Sequence, residues 1–172
     1  MDSDSLRAIP FLQKLTAEEL AEFSALVETC DYKRGTRILE EGTVPTAFCV
    51  VRDGVVHVRR QANKRTMLLA TLGPGSFFGE INLFDPGVAT ATILAMRDSR
   101  IASISYDRFR AYMDSHPRAG YLIASALLSE LAHRMRVTST RLANSIYRPL
   151  PVAASSPVDE QAASENSPSG GG

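Results

Sequence analysis

Two stretches decide the fold: Leu72-Gly-Pro-Gly-Ser-Phe-Phe-Gly-Glu-Ile-Asn-Leu-Phe84, which is rich in glycine, and Ala89-Thr-Ala-Thr-Ile-Leu-Ala95, which resembles a strand. Glycines at 73, 75 and 79 let a backbone approach a ligand closely, and residues 80–84 can form one helical turn whose free N–H groups face an anion. Glu80 would then accept a hydrogen bond from a sugar hydroxyl. Most isolated glycine-rich turns merely connect strands. The surrounding sequence therefore decides whether this stretch is an anion-binding loop or only a connecting turn.

Short runs rich in β-forming residues surround this loop. Seven of the eleven glycines lie between Gly35 and Gly87, where short strands need tight turns. Between Tyr32 and Tyr106 these runs include Phe48–Val51, Val55–Arg59, Thr66–Leu72, Thr90–Met96 and Ile101–Tyr106. Many short strands with turn signals at near-regular intervals predict a mainly β fold, a roll of the jelly-roll type.

Helical patterns flank the predicted roll. Thr16 and Glu19 form a capping box for a short amphipathic helix that ends near Val27. Asp107–Met113 predicts a second helix, and a much longer one follows to about Ile146, with Ser115 as its cap and Pro117 in its first turn. With 172 residues and 44% hydrophobic content, we expect a single core. The predicted parts are an N-terminal helical segment (1–31), a β-roll (32–106), C-terminal helices of the same domain (107–147) and a disordered tail (148–172).

A narrow apolar stripe runs along the long helix. Its members follow a 3,4,3,4 spacing, which suits pairing with an identical helix. They are Leu128, Leu131, Met135, Thr138 and Leu142. The stripe predicts a homodimer through this helix, or packing of the helix on the roll of its own chain, and the two are compatible.

Composition narrows the function classes. The formal net charge of zero argues against a polyanionic partner such as a nucleic acid. Cys30 and Cys49 lie far apart and are predicted to be free thiols in a reducing compartment. The N-terminus has no basic segment leading into an apolar one, and no apolar run approaches the length of a membrane span. We expect a cytoplasmic protein with no membrane partner.

The surroundings of the glycine-rich loop resemble the cyclic-nucleotide-binding domain family from about Leu6 to Ile146. The resemblance rests on Tyr32-Lys-Arg-Gly-Thr-Arg-Ile-Leu-Glu-Glu-Gly42, Val50-Val-Arg-Asp-Gly-Val-Val56, the Phe-Gly-Glu of residues 78–80 and the strand at 91–93. It implies that the loop is a phosphate-binding cassette whose glutamate binds the ribose 2′-hydroxyl and whose N–H groups bind the cyclic phosphate. The candidate ligand-binding residues of this cassette (residues 78–92) are Phe78, Gly79, Glu80, Ala89, Thr90, Ala91 and Thr92.

The long helix resembles that of the catabolite-activator branch of bacterial regulators through Leu131-Ala-His-Arg-Met-Arg-Val-Thr-Ser-Thr-Arg-Leu-Ala-Asn144. This branch implies dimerisation through the helix, with Thr138 and Ser139 placed to reach a purine. Alternatively, Thr138 is a polar residue that fixes the register of a helix seam. Members of the branch continue into a helix-turn-helix, for which no residues are left here, so direct DNA binding is not expected.

One departure from the family concerns charge. The family places a phosphate-binding arginine nine or ten residues after the glutamate, where this chain has Ala89 and Thr90. No lysine or arginine occurs between Ile81 and Met96, so no shift of register recovers the cation. Its loss should weaken phosphate binding about ten- to hundredfold or more. Cations near the end of the long helix either replace it or only complement the helix dipole; they are Arg134, Arg136, Arg141 and Arg148.

The sequence contains no motif typical of an enzyme active site. The three histidines, His57, His116 and His133, are isolated and form no metal-binding pair. No serine or cysteine lies in a recognisable nucleophile elbow, and Glu80 has no second carboxylate near it in sequence. The sequence therefore predicts a non-enzymatic adaptor without cofactor or metal, which docks other signalling proteins. The alternative is a true cAMP or cGMP receptor with a non-standard phosphate site.

Overall fold

Eight strands form two antiparallel sheets in the computed structural model, which describes residues 6–62 and 65–146. The first sheet has the order β1-β8-β3-β6 and the second the order β2-β7-β4-β5. The strands are β1 (Glu28–Tyr32), β2 (Arg37–Leu39), β3 (Ala47–Asp53), β4 (Val56–Ala62), β5 (Arg65–Leu72), β6 (Phe77–Phe78), β7 (Thr92–Ala95) and β8 (Ser99–Ser105).

Helices flank these sheets on both sides in sequence. A 3-10 turn at Pro10–Leu12 precedes helix α1 (Ala17–Ala25), and one short helix, α2 (Glu80–Phe84), interrupts the strands. Helices α3 (Tyr106–Ser115) and α4 (Pro117–Ile146) follow the last strand. The mainly β fold with flanking helices and a long C-terminal helix is confirmed. The chain divides into two compact units, Met1–Arg134 and Met135–Gly172.

Several boundaries differ from the sequence-based ones. Glu28–Tyr32, which falls mostly in the predicted helical segment 1–31, is strand β1 and pairs with β8. The short strands β2 and β6 lie inside the predicted roll but were not named individually from the sequence. Thr16 caps α1 through the expected box, since its hydroxyl accepts from the N–H of Glu19. Ser115 is not the cap of α4, because it is the last residue of α3 and the carbonyl of His116 accepts the first bond of α4, from the N–H of Gly120. Its hydroxyl donates back to carbonyls within α3. The tail predicted at 148–172 lies outside the described residues.

The larger hydrophobic core joins the N-terminal helix, the first sheet and the two C-terminal helices. Phe48 of β3 stacks on Phe109 of α3 with ring centroids 5.2 Å apart, and Phe109 meets Phe23 of α1 edge to face at 5.5 Å. Aromatic pairs in these geometries add about 0.5–1.5 kcal/mol each beyond the burial of area. This core fixes α3 against the sheet that carries β6, which leads into α2.

Helix α4 presents one face to this core. Ala119, Ile123 and Leu127 are fully buried at a spacing of four residues. Leu128 of the predicted stripe is 67% exposed, so it lies away from that packed face. No helix in the described part of the chain combines the length and apolar character that crossing a bilayer requires.

Candidate functional site

A cavity of about 100 Å³ lies between the second sheet and helix α2. Its lining combines apolar side chains with a few polar ones, among them Glu80, Thr90 and Arg134. The lining residues are Leu39, Val58, Leu72, Phe78, Gly79, Glu80, Ile81, Asn82, Ala89, Thr90, Ala91, Ile93 and Arg134. An apolar cavity with a few convergent polar groups is the usual form of a small-molecule site, although such sites typically measure about 300–1,000 Å³.

Gly79 allows the tight entry into α2. Its φ of 80° lies in the left-handed region, and an added Cβ would lie 2.8 Å from the carbonyl oxygen of Ala47. Its own carbonyl accepts a hydrogen bond of 2.9 Å from the hydroxyl of Tyr106, the first residue of α3. Burial raises the pKa of Tyr106 to about 12, which keeps its hydroxyl protonated as a donor. Only glycine fits this position without strain.

Glu80 is the first residue of α2 and is 7% exposed. Burial raises the pKa of its carboxyl above the ordinary value, while its own backbone N–H and the Arg134 guanidinium act in the opposite direction. The side chain lines the cavity, where an ionised carboxylate is a strong hydrogen-bond acceptor. This arrangement suits recognition of a hydroxyl group.

Arg134 of α4 is the cation among the residues lining this cavity. Its Nη1 lies 3.3 Å from Oε1 of Glu80, and its Nε donates to Oε1 of Glu130 at 3.0 Å. Both terminal nitrogens donate to the carbonyl of Phe77 at 3.3 Å, and the guanidinium carbon lies 4.4 Å from the centre of the Phe77 ring. The guanidinium therefore links α4 to the strand and helix that form one end of the cavity.

Helix α2 is also held at its far end. Nε and Nη2 of Arg110 donate to the carbonyl of Leu83 at 3.1 and 2.9 Å, and Nη2 also reaches the carbonyl of Asn82 at 3.2 Å. The amide of Asn82 donates to the carbonyl of Gly87 at 2.6 Å, which closes the loop after the helix. These bonds satisfy carbonyls that a short helix leaves without partners.

The sequence model of the cyclic nucleotide-binding domain family matches residues 29–116, just over half of the chain. The matched region contains both sheets, α2 and α3. This chain belongs to the cyclic nucleotide-binding domain family.

Relatives and solved structures agree with this assignment. A CRP-like cAMP-activated global transcriptional regulator of Mycobacterium tuberculosis is 30% identical over 152 residues, which are 88% of this chain and 66% of the regulator. The Thermus thermophilus catabolite activator protein superposes with a TM-score of 0.69 at 28% identity, covering 80% of this chain and 63% of that one. A cyclic nucleotide-binding domain from Methylobacillus flagellatus reaches 0.77 at 21% identity, covering 86% and 88%. The chain spans just under two thirds of the first two proteins.

Most candidate ligand-binding residues of this cyclic nucleotide-binding domain lie around the one cavity. Phe78, Gly79, Glu80 and the segment 89–91 all line it. Thr92 is the exception, because its hydroxyl accepts a hydrogen bond of 3.1 Å from the N–H of Glu41 and it lines a separate groove. Side chains alternate along a strand, so Thr92 faces away while its neighbours Ala91 and Ile93 face the cavity.

The predicted purine-side and dimer residues are distributed over the two compact units. Leu128 and Leu131 belong to the first unit, where Leu131 is half-buried. In the second unit, exposed helix positions are occupied by Met135, Thr138, Ser139 and Leu142. The cavity is described from the first unit alone, so the purine-side role of Thr138 and Ser139 stays a prediction.

Two contacts of the cassette were not anticipated from the sequence. Tyr106 and Arg110 are one helical turn apart on α3 and reach the two ends of α2. Their i, i+4 spacing indicates a shared face. Nothing in the spacing indicates that this face meets the cassette, since the residues that they contact lie 27 positions earlier.

Proposed function

We propose that this domain is a non-enzymatic regulatory adaptor that docks signalling proteins and does not bind cyclic mononucleotides with high affinity. The observation that carries the proposal is the charge of the cavity. Its lining contains one cation, Arg134, and that cation already pairs with the carboxylates of Glu80 and Glu130. A phosphodiester entering the cavity would therefore find no unpaired positive charge among the lining residues.

The segment opposite α2 supports the same proposal. Ala89 and Ala91 are 3% and 8% exposed, and Thr90 between them lines the cavity with a short neutral side chain. A hydrogen bond to a charged group contributes about 1.5–3 kcal/mol, so a cassette without such a donor loses a large part of its affinity for an anion. The volume of about 100 Å³ is also below the range of typical ligand sites.

Calorimetric titration of the full chain with cAMP, cGMP and a cyclic dinucleotide tests this proposal. We expect no binding at low micromolar concentrations, and low-micromolar affinity for a cyclic mononucleotide would overturn it. Thr90→Arg supplies the missing cation at an accessible position and should raise cAMP affinity about ten- to hundredfold. Thr90→Gln is the matched control, because it adds length without charge and should leave the affinity unchanged.

A second candidate function is that of a true cyclic nucleotide receptor in which Arg134 serves as the phosphate cation. It is favoured by the position of the guanidinium on the cavity wall, 3.3 Å from Glu80. The relatives named as cAMP-activated regulators also favour it. Under this alternative Glu80→Ala abolishes nucleotide binding to the native chain, whereas under the adaptor proposal the change has little effect on binding.

We also propose that the adaptor is a homodimer through α4. Leu128 and Met135 are 67% and 71% exposed and lie seven residues apart on the helix, a spacing that suits pairing with an identical helix. Light scattering should therefore give a dimer mass, and a monomer at high micromolar concentration would reject the proposal. Leu128→Lys should dissociate the dimer, while Ser129→Lys, a neighbouring exposed position, should leave it intact.

A further inference from the structure

A groove of about 550 Å³ lies on the outer face of the second sheet. Thr92 and Leu94 of β7 line this outer groove, whereas Ile93 between them lines the cassette cavity, because side chains alternate along a strand. The two spaces therefore lie on opposite faces of the same sheet. Small-molecule sites typically measure about 300–1,000 Å³. The outer groove is large enough to hold a ligand of its own.

The charged side chains of the outer groove leave one positive charge without an acidic partner. The charged lining residues are Arg37, Arg59, Arg60, Glu40 and Glu41. Nη1 of Arg37 lies 2.8 Å from Oε1 of Glu40. Nε of Arg60 lies 3.7 Å from Oε1 of Glu41. Among the described residues, Arg59 has no carboxylate within ion-pair distance, and its side-chain hydrogen bonds go to His57 and Met96. Three guanidinium groups thus face two carboxylates, and the groove favours an anion.

Arg59 lies in the middle of the second sheet and is half-buried. It is paired with Leu68 of β5 on one side and with Thr92 of β7 on the other. Its Nη2 donates to Nδ1 of His57 at 3.3 Å and to Sδ of Met96 at 3.4 Å. A guanidinium carries only donors, so the His57 ring accepts through Nδ1 and is neutral in this contact. A neutral imidazole and a thioether leave the charge of Arg59 uncompensated, and an anion in the groove would supply the missing counter-charge.

We propose that the outer groove is a second ligand site for a small phosphate ester of a polyhydroxylated compound such as a sugar, with Arg59 as the phosphate-binding residue. The planar fork of a guanidinium matches the oxygens of a phosphate and forms short, charge-assisted hydrogen bonds with them. A carboxylate has about four acceptor sites, so Glu40 and Glu41 can accept hydroxyl groups while they stay paired with arginines. The groove is separate from the cassette cavity, so this inference goes beyond the proposed function and does not depend on it.

An NMR titration of the full chain with glucose 6-phosphate at constant ionic strength tests the proposal. We expect saturable shifts of the backbone amide signals of Arg59 and Thr92, while the signal of Gly79 in the cassette stays unchanged. Inorganic phosphate should bind the same residues more weakly, because it brings no sugar hydroxyls to the two glutamates. Glucose should cause no saturable shift, because it carries no charge for Arg59.

Substitution of the phosphate-binding residue should weaken binding selectively. Arg59→Met removes the cation but keeps much of the side-chain length, and the dissociation constant for glucose 6-phosphate should rise about ten- to hundredfold. Arg59→Gln replaces this variant if it loses its cooperative unfolding transition. Arg108→Met is the matched control and should leave the affinity unchanged, because Arg108 pairs with Glu28 outside the groove.

Several results would overturn the proposal. They are the absence of a saturable shift with glucose 6-phosphate, saturable shifts at Gly79 instead of Arg59, and an equal loss of affinity in the Arg59 and Arg108 variants. Inorganic phosphate that binds as tightly as glucose 6-phosphate would also overturn it, since the groove would then respond to a bare anion. The proposed function is judged separately, because none of these results depends on cAMP binding by the cassette.

Discussion

Substituting alanine for three glycines of the cassette region separates backbone strain from close packing. Gly79 has a φ of 80°, and a Cβ there would lie 2.8 Å from the Ala47 carbonyl oxygen and 3.1 Å from the Tyr106 hydroxyl. The left-handed conformation costs a residue with a Cβ about 1–2 kcal/mol, and overpacking typically adds about 1–3 kcal/mol. We expect Gly79→Ala to destabilise the domain by about 3 kcal/mol, or about 6–12 °C in Tm for a chain of this size.

The two other glycines provide graded controls. Gly75 has a φ of 84°, but a Cβ there would meet only Pro10 at 3.8 Å, so Gly75→Ala should cost the strain alone, about 1–2 kcal/mol. Gly73 has open space and no positive φ, and Gly73→Ala should stay within about 0.5 kcal/mol of the native chain. Urea denaturation followed by circular dichroism measures all three. Equal losses for Gly79→Ala and Gly75→Ala would refute the close approach of β3 and α3 to the cassette.

Three further results are expected. Thr16→Ala should lower the unfolding free energy by about 1 kcal/mol in urea titrations, since it removes the hydroxyl that caps α1. Burial raises the pKa of Glu80, so above pH 4.5 the native state binds more protons than the unfolded state. The contribution of Glu80 to the free energy of unfolding is therefore present below pH 4.5 and is lost as the pH rises through the raised pKa. Glu80→Gln should remove this pH dependence from the free energy of unfolding measured by denaturation at several pH values. Alkylation followed by mass spectrometry should modify exposed Cys30 and spare Cys49, whose pKa burial raises to about 12.

Local sequence patterns were sufficient to predict a structural feature where the residues that form it lie next to one another in the chain. The capping box at Thr16 and the glycine-rich entry to α2 both formed as their residues indicated. Strand β1 fell in a segment predicted to be helical, and the short strands β2 and β6 inside the predicted roll were not named individually, because these strands have little sequence pattern of their own. β1, for example, is almost wholly exposed and exists through its pairing with β8, about 70 residues later. Such pairing depends on partners that no sequence window contains.

For the candidate site, too, the residue types could be read from the sequence, whereas the contacts between them could not. The sequence by itself determined which cavity residues carry charge: a carboxylate at Glu80, no cation from Ile81 to Met96, and a basic end to the long helix. Only the tertiary structure decided which helix cation reaches the cavity, because Arg134 and Glu80 are 54 positions apart and meet through the packing of α4 on the core. The tertiary structure also places Thr92 outside the cavity, because side chains alternate along β7 and the Thr92 hydroxyl accepts a hydrogen bond from the N–H of Glu41. Residue types follow from the chain, whereas electrostatic partners depend on distances that folding alone establishes.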